Sequence, residues 1–88
     1  MERVEEKIIV NKPHGLHARP ATIFVQLANK FNSSIRLEHE GEVVDGKSII
    51  GILSLGINKG ILIKMIVEGD DAPEAMSDLR KFLEGNDD

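Results

Sequence analysis

The first ten residues alternate two kinds of side chain with a period of two. Across residues 3–10 the β-branched Val4, Ile8 and Val10 share one phase, and charged residues dominate the other. Because successive side chains of an extended chain point to opposite faces, this pattern predicts a strand whose β-branched face meets a core. A proline and a glycine within residues 11–15 then indicate a loop.

A helical period begins after this loop. From Ala18 onward apolar residues recur every three or four positions, a spacing typical of one face of a helix. The stripe consists of Ala21, Phe24, Val25, Ala28 and Phe31. Pro20 is compatible with the first turn, because the N–H that proline lacks has no partner there. We therefore predict a helix that starts directly after His17, with His17 at or beside the N-cap, and that ends at residues 32–34.

The middle of the chain predicts a hairpin followed by a short helix. Two phases alternate over residues 35–40, Gly41 provides a tight turn, and residues 42–45 return as a second strand. Ser48 is a good N-cap residue for a short helix over residues 49–55. That helix holds more apolar residues than one face can bury, so we expect part of it to be exposed.

A last strand and a last helix complete the chain. The apolar phase of the strand consists of Ile61, Ile63, Met65 and Val67. Asp71 and Glu74 have the spacing of a capping box, Gly85 is suited to the end of the helix, and residues 86–88 are expected to fray. The resulting order is βαββαβα. Alternating strands in this order predict an α+β fold, a two-layer sandwich of sheet and helices.

Length and composition indicate one folded domain spanning residues 1–88. Hydrophobic residues make up 41% of the chain and charged residues 30%, a balance typical of globular proteins and not of disordered ones. The net charge of −4 and the lack of Tyr and Trp argue against nucleic-acid binding, which uses basic faces and aromatic stacking.

Cysteine usage and hydropathy bear on the compartment. The chain has no cysteine, which excludes a disulfide scaffold and thiolate metal sites. Its charged N-terminus has no apolar segment of the secretory type, and no apolar run approaches the length of about 18 residues typical of a membrane span. We therefore expect a cytoplasmic protein that does not associate with membranes.

His17 and Arg19 are the candidate chemical groups. The N-terminal turn of a helix has unpaired N–H groups and a partial positive charge, so it favours anions such as phosphate. A neutral imidazole there can act as a nucleophile toward phosphorus, and Arg19 can neutralise the group it accepts. Taken alone, however, a histidine before a helix is more often a local cap or a surface residue. His14 lies nearby, but two histidines without a carboxylate are a weak zinc signal, so we expect no metal and no cofactor.

Two segments resemble the signatures of a known family. They are Gly15-Leu16-His17-Ala18-Arg19-Pro20-Ala21 and Gly46-Lys47-Ser48-Ile49-Ile50-Gly51-Ile52-Leu53-Ser54-Leu55-Gly56. Their sequence and separation are similar to those of HPr, the histidine-containing phosphocarrier family of the bacterial phosphoenolpyruvate:sugar phosphotransferase system. The resemblance covers essentially the whole chain and implies an open-faced β-sandwich, with three helices on one side of a four-stranded antiparallel sheet. It also implies a carrier rather than an enzyme, because the partners supply the catalysis.

The resemblance implies roles for individual residues. His17 matches the histidine that takes a phosphoryl group from enzyme I and passes it to EIIA domains for sugar uptake, and Arg19 matches the arginine beside it. Ser48 matches the serine that HPr kinase/phosphorylase phosphorylates in carbon catabolite control, which also implies a catabolite-control transcription factor as a partner. The implied docking surface comprises Ala18, Pro20, Thr22, Phe24, Lys47, Ile49, Ile50 and Leu53, and the matching region extends to Leu55.

Other functions remain open at this point. A nitrogen-type relay would use the same histidine chemistry as the sugar-system phosphocarrier. A regulatory-only HPr paralogue would act by protein binding, but known paralogues of that kind lack the histidine that His17 represents. A small hydrolase using His17 and Arg19 is disfavoured, because no carboxylate, second base or glycine-rich cradle accompanies them. His14 departs from the family, which usually has a small polar residue there. We expect a monomer, because the domain must present its docking surface to several partners.

Overall fold

The computed structural model describes residues 1–86, and its elements follow the predicted order βαββαβα. The strands are β1 (Glu2–Ile9), β2 (Ser34–His39), β3 (Glu42–Asp45) and β4 (Leu62–Gly69). The helices are α1 (Ala18–Ala28), α2 (Ile49–Ser54) and α3 (Ala72–Glu84). The predicted fraying of residues 86–88 falls mainly outside the described residues.

The four strands form one antiparallel sheet in the order β1-β4-β2-β3. β4 pairs with β1 from Glu2↔Gly69 to Ile9↔Leu62, and it pairs on its other side with β2. The predicted hairpin joins β2 to β3. Its turn holds Glu40 at φ 52° and Gly41 at φ 82°, the left-handed values that tight two-residue hairpin turns require.

One face of the sheet is buried beneath the helices. The most buried strand residues on this face are at most 2% exposed: Ile8, Ile35, Leu37, Ile63, Met65 and Val67. The helices cover them with buried side chains that include Phe24, Ile52 and Leu79. Burial of this apolar surface is the main stabilising contribution, at about 25 cal/mol per Å². The predicted open-faced sandwich, with three helices on one side of a four-stranded antiparallel sheet, is confirmed.

The opposite face of the sheet is open and charged. Glu68 accepts a hydrogen bond from Arg3 at 2.9 Å and another from Arg36. Lys64, on the same strand, lies 3.6 Å from Glu5. Charges of opposite sign on neighbouring strands attract one another and remain compatible with water, as is typical of the solvated face of an antiparallel sheet.

α1 is shorter than the apolar stripe predicts. The helix ends at Ala28, and the following residues form turns in which the Phe31 N–H donates to the Ala28 carbonyl at 3.2 Å. Phe31 packs against the core from this turn, so it extends the apolar stripe without belonging to the helix. The predicted helix end at residues 32–34 is therefore wrong, and β2 already begins at Ser34.

Asp71 is the N-cap of α3, but the predicted capping box is wrong. Within the described residues the Asp71 side chain does not cap the helix. Its carboxylate accepts hydrogen bonds from the backbone N–H groups of Asn32 (2.8 Å) and Ser33 (2.9 Å), 39 and 38 residues away. A hydrogen bond from the Ser33 hydroxyl, followed by the one from the Asn32 N–H, lowers the pKa of the Asp71 carboxyl. This ionised carboxylate fastens the turn before β2 to the start of α3.

Candidate functional site

His17 occupies the N-cap of α1, as predicted. Its backbone is extended (φ −115°, ψ 158°), and within residues 1–86 its side chain makes no hydrogen bond to the first turn of the helix. The residue is half-buried, and its Nε2 atom lies 3.0 Å from the amide oxygen of Asn58. The ring therefore stands beside the positive end of an 11-residue helix and leaves the N–H groups of that end to an anion.

Gly15 allows the loop before α1 to contact the loop before β4. The Leu16 N–H donates to the Ile57 carbonyl at 2.9 Å, and both side chains are fully buried. Gly15 has φ +63°, and a Cβ atom there would lie 2.2 Å from the Ile57 carbonyl oxygen and 2.8 Å from the Asn58 Cα atom. A side chain at position 15 would force the two loops apart. Glycine at this position therefore brings Asn58 within reach of His17.

Asn58 could not be recognised as part of the site from the sequence alone. The pattern around it predicts only a turn, and His17 and Asn58 are 41 residues apart in the chain. No local spacing or capping signal links an asparagine in one loop to a histidine in another. The contact depends on the packing of the two loops, so no signal in a single sequence would have identified it.

The first residue of α1 has a strained backbone. Ala18 has φ 45°, a left-handed value that costs a residue other than glycine roughly 1–2 kcal/mol. Its neighbours hold it in this conformation, because Leu16, Pro20 and Ala21 are all buried. Since Ala18 directly follows His17, this backbone conformation helps to set the direction in which the His17 side chain points.

Arg19 is exposed on the first turn of α1, two residues after His17. In the part of the chain that the structure describes, its guanidinium forms no ion pair, and the first turn of α1 contains no acidic residue. An exposed guanidinium that forms no ion pair can donate hydrogen bonds to a phosphate at the helix N-terminus. The structure thus places an imidazole, a helix N-terminus and a cation on one accessible surface.

Both α1 and α2 carry exposed residues. The two helices pack against each other, so these residues lie on neighbouring elements. We define the docking surface as Ala18, Arg19, Thr22, Ile50 and Leu53. Ile50 is 78% exposed and Leu53 is 41% exposed, which confirms the predicted exposure of part of α2. Large apolar side chains exposed side by side are typical of a binding site.

Other predicted docking residues face the protein interior. Phe24 is fully buried and packs against Phe82, with ring centroids 6.4 Å apart. Pro20 is also buried, and Leu55 is only 7% exposed. The prediction that Phe24 and Pro20 contact partners is wrong, because both lie on the face of α1 that packs against the core. Ile49 is half-buried and also packs against the core.

Ser48 is the N-cap of α2, as predicted. Its Oγ atom accepts a hydrogen bond from the Gly51 N–H at 3.1 Å, and the residue is half-buried. The ammonium of Lys47 donates to the Phe31 carbonyl at 2.8 Å, in the turn after α1. The structure therefore engages Lys47 within the fold, whereas it was predicted to contact partners. The hydroxyl of Ser48 lies two residues before the exposed Ile50.

The described residues form neither a metal site nor a membrane-spanning helix. Within residues 1–86 no group of three or more His, Asp or Glu side chains could hold a metal ion. His14 is exposed three residues before His17, and this pair has no third ligand in that range. No helix in the same range is both long enough and apolar enough to cross a bilayer.

The chain is similar to known proteins along nearly its whole length. The family model for the PTS HPr component phosphorylation site matches residues 4–85. The HPr-like protein Crh of Halalkalibacterium halodurans is 48% identical over 81 residues, which cover 92% of this chain and 96% of that protein. A phosphocarrier protein HPr from Bacillus anthracis str. Ames is 43% identical, and its crystal structure aligns with a TM-score of 0.90 over 92% of this chain and 96% of that one. Crh of Bacillus subtilis, whose crystal structure is described as a dimer with a swapped domain, is 41% identical, with a TM-score of 0.75 over 91% of this chain and 92% of that one.

Proposed function

This chain belongs to the HPr family, and on that premise we propose that it is a phosphocarrier. His17 accepts a phosphoryl group from phospho-enzyme I and passes it to EIIA domains that serve sugar uptake. The observation that supports this most is the position of His17. Its imidazole stands at the N-cap of α1, on an accessible surface, with the Arg19 guanidinium two residues away.

The open geometry of the site suits a relay rather than an enzyme. A relay must offer its phosphoryl group to two partners in turn, so the group has to be positioned without being enclosed. The first N–H groups of α1 and the Arg19 guanidinium each contribute on the order of 0.3–3 kcal/mol. Contributions of this size orient the phosphoryl group without retaining it. The partners supply the remaining catalytic groups, so the chain acts as a carrier.

The docking surface is the proposed contact for both kinds of partner. Ile50 and Leu53 supply its apolar area, and His17 lies at the start of the helix that borders it. When a partner covers this surface, water leaves the site and the electrostatic contacts of the phosphoryl group become stronger. Enzyme I and EIIA domains would therefore use the same surface in succession, and transfer occurs only while one of them is bound.

Incubation with enzyme I and phosphoenolpyruvate is expected to add one phosphoryl group to the chain. A bond between phosphorus and a histidine nitrogen is labile in acid and stable in base, and the group should move to an EIIA domain when one is added. Intact-mass spectrometry before and after acid treatment measures both properties. No added mass, or a phosphoryl group that survives acid, would contradict the carrier function.

We extend the proposal to regulation at Ser48 by HPr kinase/phosphorylase. A phosphate on Ser48 would lie at the start of α2 and add about −2 charge, two residues before the exposed Ile50. Partners that bury Ile50 would then have to bury the phosphate charge as well, or leave it hydrated within the contact. A partner that offers an arginine would instead be favoured, and we propose a catabolite-control transcription factor as that partner.

Ser48→Asp is expected to weaken binding to enzyme I and to EIIA domains about tenfold, or ~1.4 kcal/mol. The reason is the cost of removing a carboxylate from water beside the apolar part of the docking surface. Aspartate is itself a good N-cap residue, so α2 should remain folded. Isothermal titration calorimetry measures the affinities. Ser77→Asp, at an exposed position of α3, adds the same charge and should bind like the parent. Unchanged affinity of Ser48→Asp would disprove the electrostatic mechanism.

A regulatory-only function is the second candidate, because the similar proteins include Crh, which is described in one structure as a catabolite repression protein. On this hypothesis the chain acts through Ser48 and protein binding alone. The histidine at position 17 favours the relay instead. Labelling by enzyme I separates the two, since a regulatory-only protein takes no phosphoryl group. A nitrogen-type relay would take the group but would not pass it to a sugar-specific EIIA domain.

We propose the monomer as the form that relays phosphate, because one exposed surface must meet several partners in turn. A relative, Crh of Bacillus subtilis, has been described as a dimer with a swapped domain. We also propose that the chain acts in the cytoplasm, together with its proposed partners.

A further inference from the structure

We propose that Asn58 is a positioning residue for phosphoryl transfer, an inference that rests on the proposed carrier function of His17. The amide oxygen of Asn58 lies 3.0 Å from Nε2 of His17. A carbonyl oxygen only accepts hydrogen bonds, so Nε2 donates and holds the proton of the neutral imidazole. The lone pair is then on Nδ1. This geometry therefore makes Nδ1 the phosphoryl acceptor.

Backbone hydrogen bonds on both sides hold Asn58 in place. The Ile57 carbonyl accepts from the Leu16 N–H at 2.9 Å, and the Gly60 N–H donates to the Val10 carbonyl at 2.7 Å. Ile57 is fully buried, which fixes the residue directly before Asn58. Because the loop is anchored before and after Asn58, the side-chain amide of Asn58 keeps its position and can orient the imidazole of His17.

The other ring nitrogen is not used by the helix. His17 is the N-cap of α1, a position where a side chain commonly accepts a hydrogen bond from the first turn. Within the described residues the His17 side chain makes no such bond. The lone pair on Nδ1 is therefore not engaged by that turn. Because Asn58 holds the proton on Nε2, Nδ1 is the ring nitrogen that carries the free lone pair.

The transfer step balances with this assignment. The Nδ1 lone pair forms the bond to phosphorus while the bond between phosphorus and the donor group of phospho-enzyme I breaks. The donor group leaves with that electron pair. Nε2 keeps its proton, so the ring of His17 becomes a cation that bears the phosphoryl group. A charged donor makes a stronger hydrogen bond than a neutral one. Asn58 therefore stabilises the phosphorylated ring more than the free ring.

The position of the proton can be measured in the unphosphorylated protein. Two-bond proton–nitrogen correlation spectra at about pH 8.5, where imidazole is neutral, are expected to show the His17 proton on Nε2. Asn58→Ala should raise the fraction of molecules with the proton on Nδ1. Asn58→Asp should restore the parent pattern, because its carboxylate also accepts a hydrogen bond. A proton on Nδ1 in the parent, or the parent pattern in Asn58→Ala, would overturn the proposal.

The rate of phosphoryl acceptance gives a second readout. In rapid-quench experiments with phospho-enzyme I, Asn58→Ala is expected to react about fivefold to tenfold more slowly than the parent. Asn29→Ala is the matched control, because Asn29 is another exposed asparagine with a side-chain hydrogen bond, at the C-terminal end of α1. This control should keep the parent rate and the parent spectrum. An Asn58→Ala rate equal to that of the control would overturn the proposal.

The outcomes distinguish this inference from the carrier function. If the parent protein takes no phosphoryl group from phospho-enzyme I, the carrier function fails and the role of Asn58 in transfer fails with it. The spectra would then still show whether Asn58 directs the His17 proton. If the parent is phosphorylated and Asn58→Ala behaves like Asn29→Ala in both measurements, only the Asn58 proposal fails.

Discussion

His17→Ala is expected to abolish phosphoryl acceptance from enzyme I completely. Alanine removes both ring nitrogens, and the docking surface offers no comparable nucleophile, since the Arg19 guanidinium is charged and the Thr22 hydroxyl donates to the Ala18 carbonyl. The fold should persist, because the His17 side chain does not cap α1 within the described residues. Intact mass after reaction with enzyme I and phosphoenolpyruvate measures the loss.

The matched control for this experiment is His14→Ala. His14 is exposed and lies three residues before His17, on the far side of the tight turn at Gly15. It follows Pro13 rather than preceding a helix, so it lacks the N-cap position that makes His17 a candidate. His14→Ala is expected to take the phosphoryl group as the parent does. If His17→Ala is still phosphorylated, and this phosphorylation disappears only when His14 is also replaced, the assignment to His17 is wrong.

Gly15→Ala is expected to destabilise the protein by roughly 3 kcal/mol and to slow phosphoryl acceptance as well. The added Cβ atom would lie 2.2 Å from the Ile57 carbonyl oxygen, and that oxygen is part of the backbone and cannot rotate away. The two loops must separate, which breaks the hydrogen bond between the Leu16 N–H and Ile57 and withdraws Asn58 from His17. Urea denaturation measures the free energy of unfolding, and the rapid-quench rate measures the effect on the site.

Gly56→Ala separates the two causes of this effect. Gly56 has φ +62°, nearly the value of Gly15, but a Cβ atom there would meet no atom within 4 Å. Gly56→Ala therefore reports the cost of a left-handed backbone alone, roughly 1–2 kcal/mol. It should leave phosphoryl acceptance unchanged. If Gly15→Ala and Gly56→Ala were equally destabilising, close contact between the loops would not be the reason for glycine at position 15.

The order of the elements could be predicted because its signals are local. A period of two identified β1 and the hairpin, and a helical period identified α1 and α3. His17 and Ser48 were placed at helix N-caps from the residues next to them, and the structure has both there. The exposure of Ile50 followed from an apolar content that a short helix cannot bury on one face.

The errors share a physical cause. Phe31 was assigned to α1 because an apolar residue at helical spacing looks the same whether it packs from a helix or from the turn after it. Asp71 was assigned to a capping box because the spacing to Glu74 fits one, but Ser33 and its neighbour compete for the same carboxylate. In both cases a contact from elsewhere in the fold decided between local alternatives.

The sequence by itself determined the strands and helices, the N-cap position of His17 and the nearness of Arg19, since each depends on residues a few positions apart. Only the tertiary structure decided that Asn58 meets His17 and that Asp71 holds Ser33, across 41 and 38 residues. It also decided that Phe24 belongs to the core and not to the docking surface. These contacts form between loops and faces that come together only when the sheet and helices pack, so no pattern of neighbouring residues contains them.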